Sequence, residues 1–127
     1  MKIIDIQDLQ PLSEPCIKVR EILSLVGDKW SVLIVTILGS GPMRFSQLKR
    51  AVEGISQRML TATLRGLERD GLVTRTVTPS IPPRVDYELT ELGRSLGVPV
   101  NALNQWTIDH IEAINTARTA FDKRART

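Results

Sequence analysis

The sequence predicts a mainly α-helical fold with a small β wing, an α+β arrangement, and three observations predict it. The central stretch 54–71 carries a helix start signal, a helix stop signal and two chemically different faces. A shorter amphipathic segment precedes it across the turn Glu53-Gly54-Ile55. Two β-rich runs separated by a proline-rich loop follow it. Helix, helix, hairpin is the order of a winged helix-turn-helix, whose second helix is the reader.

The central helix is specified at both ends. Ser56 can accept a hydrogen bond from a free backbone N–H of the first turn, and Gly71 can take the left-handed conformation that closes the last. Leu72 then packs back on Leu67, the apolar contact of a Schellman ending. At the helical period, Met59, Leu60, Thr63, Leu64 and Leu67 share one side, while Arg58, Thr61, Ala62, Arg65 and Arg69 share the other. An exposed helix usually interleaves acids and bases; this one gathers arginines with a hydroxyl and a small residue. Such a face suits a DNA major groove, where Arg reads guanine and Thr or Ala meets the thymine methyl. Taken alone, the same stripe reads as a solvated face.

The charge map favours DNA. The 127 residues carry a net charge of +3, yet from Arg44 to Arg84 there are eight bases and three acids. Phosphate binding needs that local concentration, because each neutralised phosphate releases condensed counterions. The candidate DNA-binding residues are therefore Gln57, Arg58, Thr61 and Arg65, with Ser56 serving the cap first, Lys49 and Arg50 on the preceding helix, and Arg75 and Arg84 flanking the hairpin tip. Arg69 is a weaker candidate near the far end of the reader.

Length and composition fit one domain, with 42% hydrophobic and 24% charged residues. No uninterrupted apolar run approaches a membrane span, and the acidic N-terminus lacks the apolar core of a signal peptide, so a cytoplasmic location is expected. One cysteine allows no internal disulfide. One histidine, His110, has no second ligand at suitable spacing, so neither metal nor cofactor is expected. A phosphate loop and a nucleophile elbow are both missing from the sequence.

In chain order, residues 1–15 read as an arm, broken by Asp5, Asp8, Pro11 and Pro15, that can lie on a partner subunit. Residues 16–26 place Val19, Ile22, Leu23 and Val26 at helical spacing; Gly27 ends this helix and Asp28 caps the next. Residues 29–38 are apolar all round and predict a buried helix containing Trp30. After a Gly39-Ser40-Gly41-Pro42 turn, residues 43–45 suffice for a tiny strand, and Ser46 is expected to cap a helix through Val52. Residues 72–77 form the first wing strand, 78–83 the loop, and Val85, Tyr87 and Leu89 the inward positions of the returning strand, with Asp86 and Glu88 on the solvent side. Thr90 caps a last helical region in which Leu92, Leu96, Pro99, Leu103, Trp106 and His110 form a stripe, with Val100, Ile111 and Ile114 alongside. That stripe exceeds what a small domain covers internally, which makes Leu92, Leu96, Leu103, Trp106 and Ile111 candidate dimer-interface residues. Gly97 and Pro99 predict a kink or two helices, and Arg118, Lys123, Arg124 and Arg126 a frayed basic tail. The expected organisation is an arm (1–15), a DNA-binding core (16–90), and dimerisation helices with a tail (91–127).

At this point the sequence resembles the HxlR-type regulators, a bacterial winged-helix branch related to the MarR group. The match is carried by Cys16, Gly27-Asp-Lys-Trp30, Gly54-Ile-Ser-Gln-Arg-Met-Leu60, Leu64-Arg-Gly-Leu-Glu-Arg-Asp-Gly-Leu72, Pro82-Pro-Arg-Val-Asp-Tyr87 and Leu89-Thr-Glu-Leu-Gly93. The resemblance implies a homodimeric transcription regulator that binds operator DNA through the second helix and the wing and dimerises through terminal helices. It implies sensing pockets between the core helices, Trp30 included, and the terminal ones, and hence a small-molecule effector. Some members carry a redox-sensing cysteine at the position of Cys16, which here follows Pro15 where first-turn N–H groups stabilise negative charge on sulfur. The bland reading of Cys16 is a small buried residue. Two departures are Ile17, where many members have proline, and the segment beyond Trp106, which follows no family pattern. The competing function is a winged-helix module for protein contact without sequence-specific DNA binding.

Overall fold

The computed structural model describes residues 14–126. Most of the expected arm lies outside these residues. The elements are α1 (Glu14–Val26), α2 (Lys29–Leu38), β1 (Met43–Arg44), α3 (Phe45–Ala51), α4 (Gln57–Arg69), β2 (Val73–Thr78), β3 (Arg84–Leu89) and α5 (Glu91–Ala125). This is the winged helix-turn-helix order. The three strands form an antiparallel sheet in the order β1-β3-β2. α2 lies at the centre, touching α1, α3, α4, α5 and β3. Its buried residues Ile34, Val35 and Leu38 meet Leu48 and Val52, the inner face of α4, and Tyr87 and Leu89 of β3.

Several boundaries differ from the sequence expectation. α1 begins at Glu14 and takes in Pro15, whose missing N–H is harmless in a first turn. Ser46 does not cap α3: the helix starts at Phe45, directly out of β1, and Gln47 Oε1 accepts from the Arg44 backbone N–H at 2.9 Å. Leu33 is exposed, so α2 is not enclosed on all sides. Met59 is also exposed, because it stands at the edge of the inner face of α4 rather than within it.

The largest difference is α5. It is one helix of 35 residues running through Gly97 and Pro99, not two, and it continues through the expected frayed tail to Ala125. Contacts clamp both sides of the proline. Leu96 packs on the core before it, Val100 is buried after it, and Asn104 Nδ2 donates to Thr36 Oγ1 of α2 at 2.9 Å. One lost backbone bond is tolerated when the flanking turns are held this way. The start of α5 is equally fixed: Thr90 Oγ1 accepts from Gly93 N at 3.0 Å and donates to Gly71 O at 2.6 Å. The N-cap of the last helix thereby grips the C-terminal turn of α4.

Candidate nucleic-acid interface

The local chemistry of α4 produces its two faces. Ser56 Oγ accepts from Met59 N at 3.0 Å, which fixes the first turn. At the other end Leu72 N donates to Leu67 O and Gly71 N to Glu68 O, with Gly71 at φ +76°. Those two bonds are the Schellman pair, and both Leu67 and Leu72 are buried beneath them. Leu60, Thr63, Leu64 and Leu67 face the core, and Thr63 satisfies its hydroxyl by donating to Met59 O at 2.8 Å. The other side is left to solvent: Gln57, Arg58, Thr61, Ala62, Arg65 and Arg69 are all exposed.

Seven residues separate Arg58 from Arg65, two turns of helix and about 10 Å along its axis, the rise of roughly three base pairs. Among the described residues no carboxylate pairs with Arg58, Arg65, Arg69, Lys49, Arg50 or Arg75. These side chains are available to an anionic partner. Ser56 spends one lone pair on the cap and keeps its O–H to donate. Lys49 and Arg50 are exposed on α3.

The wing departs from expectation in two ways. Arg84 does stand at the tip, in register with Thr78, but Arg75 pairs with Tyr87 in the lower half of the hairpin. Arg75 shares the sheet face of Tyr87, while Arg84, an odd number of residues away, is on the other face. Arg84 is also engaged: its Nε donates to Asp86 Oδ2 at 3.0 Å and to Oδ1 at 3.3 Å. Asp86, expected to be only solvated, is therefore a partner of the wing arginine. Arg44 was not among the sequence candidates, yet it is exposed and lies in register with Asp86. Its signal was its place at the start of the basic stretch.

The expected interface stripe on α5 divides. Leu96 and Val100 belong to the core, whereas Leu92, Leu103, Trp106 and Ile111 are between 51% and 57% exposed. Among the described residues beyond Asn104 all but Ile114 are exposed, so the last part of α5 projects from the body. Phe121, 61% exposed, continues the stripe by two further turns from Ile114, a residue hidden by reading this segment as a tail. Trp106 stacks on His110 with centroids 4.6 Å apart, and His110 Nδ1 lies 2.7 Å from Trp106 O.

Cys16 is half-buried in the first turn of α1. Trp30 is half-buried, with Lys29 Nζ 4.6 Å from its ring centroid. An apolar cleft against the start of the terminal helix does not involve Trp30. It holds ≈ 470 Å³ and is lined by Ile22 and Val26 of α1, Asp70 and Leu72 at the end of α4, and Leu92, Ser95 and Leu96 of α5.

A family model described as HxlR-like helix-turn-helix matches residues 25–115, which takes in every element from α2 through most of α5. The chain belongs to this family. The uncharacterized HTH-type transcriptional regulator YtcD of Bacillus subtilis is 43% identical over 98 residues, 77% of this chain and 78% of that protein. The transcriptional regulator ytfH of Salmonella typhimurium has a solved structure that superposes with a TM-score of 0.76 at 39% identity, covering 80% of this chain and 90% of that one. The redox regulator HypR in its reduced form superposes with a TM-score of 0.72 at 36% identity, over 78% of this chain and 98% of that one. This member of the HxlR-like family is thus a transcriptional regulator of helix-turn-helix type, and its relatives are regulators rather than enzymes. Among the described residues no helix is long and apolar enough to cross a membrane, and no group of three His, Cys, Asp or Glu is placed to hold a metal ion.

Proposed function

We propose that the protein is a homodimer that reads an inverted-repeat operator with one α4 helix from each protomer. The observation that carries this is the exposed face of α4, where Arg58 and Arg65 stand two turns apart around Thr61 and Ala62 with no carboxylate partner among the described residues. Gln57, Arg58, Thr61 and Arg65 are assigned to the major groove, and Ser56, Lys49, Arg50 and the wing arginines to the backbone. The projecting apolar face of α5 is assigned to the partner protomer. In this organisation residues 16–90 are the DNA-binding core, and α5 is a single helix whose first turns pack on that core and whose remainder dimerises.

Two inputs suit the regulator. The ≈ 470 Å³ cleft joins the end of the reading helix to the start of α5, so an apolar molecule seated there would act on both. Cys16 is the candidate redox sensor: the chain is similar to a redox regulator, and α1, which carries Cys16, borders the same cleft. The function is tested by footprinting the protein on its own upstream region. A protected palindrome with half-site centres about one helical turn, or a multiple, apart supports the reading. Uniform binding without any protected symmetric site would replace it with a module for protein contact.

A further inference from the structure

We propose that the cleft between β1, α3 and the wing seats one backbone phosphate of the bound duplex, and that Arg44 is the residue that holds it. This rests on the DNA-binding reading above and extends it to a surface outside the recognition helix. The cleft holds ≈ 660 Å³ and is lined by apolar side chains, Phe45 and Pro83 among them, and by donors from both sides: Arg44 and Ser46 at the start of α3, Thr78 and Ser80 at the wing tip, and Arg84. Among the described residues no carboxylate lines it, and the nearest by strand register is a single group. Asp86 lies on the strand between them, and it is occupied by Arg84 at 3.0 Å.

Arg44 is the unmatched charge. Its strand register places it opposite Asp86, yet among the described residues it makes no ion pair. Its backbone N–H is satisfied by Gln47, and its side chain makes no cap hydrogen bond. The guanidinium therefore has no structural duty to α3. Two guanidiniums and one carboxylate leave the cleft one positive charge in excess, the complement of a single phosphodiester. Ser46 and Ser80 supply hydroxyl donors, although the Ser80 hydroxyl is first given to Pro82 O at 2.7 Å. A planar fork of N–H donors suits the paired non-bridging oxygens of a phosphate. Arg50 follows Ser46 by one helical turn on α3, so the cationic track continues away from the cleft.

The contact would carry no sequence information, which sets its test apart from that of α4. Binding of a short random-sequence duplex is measured by fluorescence anisotropy over a salt series for wild type, Arg44→Gln, Arg44→Lys and Arg58→Gln. Arg44→Gln is expected to weaken binding and to reduce the log–log salt slope by about 0.9, the value for one phosphate. Arg44→Lys should restore the slope while recovering only part of the affinity, since a point charge replaces the fork. Circular dichroism of each variant checks that α3 is intact. If Arg44→Gln keeps the wild-type slope while Arg58→Gln loses affinity, the cleft proposal is wrong and the recognition helix stands. If wild type binds no duplex at all, the DNA reading fails and the cleft assignment falls with it.

Discussion

Gly93 is the position at which α5 meets the chain leaving α4, and replacing it with alanine should destabilise the whole domain. A Cβ built there would lie 2.0 Å from Leu72 O and 3.1 Å from Leu89 Cδ2. The oxygen must retreat by about 1 Å to reach even the tightest tolerated carbon contact, and it is not free to do so. It accepts from Thr90 N at 3.0 Å, and Leu72 N is bound to Leu67 O in the Schellman ending of α4. The substitution must either push α5 off the end of α4 or break the Thr90 cap. Overpacking typically costs about 1–3 kcal/mol, against a helix-propensity gain of roughly 0.5–1 kcal/mol, so a net loss of about 1–2 kcal/mol is expected. At this chain length that corresponds to a fall in Tm of roughly 5 °C. Gly97, one turn further along the same helix, is the control: nothing lies within 4 Å of its would-be Cβ. Gly97→Ala should raise Tm by a few degrees through helix propensity alone. Thermal unfolding of the three proteins at one fixed concentration, followed by far-UV circular dichroism, gives the comparison. Equal midpoints for Gly93→Ala and Gly97→Ala would show that the α4–α5 junction is loose and the geometric argument mistaken.

Arg65→Ala should weaken operator binding by a further factor of roughly 5–150 over its effect on random DNA, the equivalent of about 1–3 kcal/mol of discrimination, whereas Arg50→Ala should weaken both alike; equal losses for Arg65→Ala in competition gel shifts would make it a phosphate contact. Leu103→Glu should convert the dimer to monomer in sedimentation velocity and abolish tight operator binding, and Phe121→Glu should weaken the dimer in the same direction. An unchanged sedimentation coefficient for both would move the interface off α5. Cys16→Ser should bind operator as wild type does but ignore diamide and peroxide, and an identical oxidant response in gel shift would leave the cysteine structural.

The reading helix was legible from sequence because everything that defines it is local. Ser56 and Gly71 set its ends through bonds to residues three to five positions away, and the helical period sorts its apolar and cationic residues onto opposite sides. The same holds for Asp28, whose carboxylate accepts from Trp30 N at 3.2 Å, and for Thr90 at the start of α5. The features that escaped depend on residues distant in sequence. Pro99 ends a helix by local rule, yet the Thr36–Asn104 bond and the burial of Val100 hold α5 continuous across it. Where Arg75 sits along the wing follows from strand register, which no residue near it specifies, and the charge left to Arg84 and Arg44 follows from their common neighbour Asp86. Nothing near Gly93 in sequence distinguishes it from Gly97; the backbone of Leu72 lying against it does. Sequence alone determined the order of the elements and the cationic face of α4, because residue period and capping bonds within a turn decide those. Only the tertiary structure decided which arginines are unpaired and which part of α5 lacks cover, because charge pairing and burial depend on what a distant segment brings alongside.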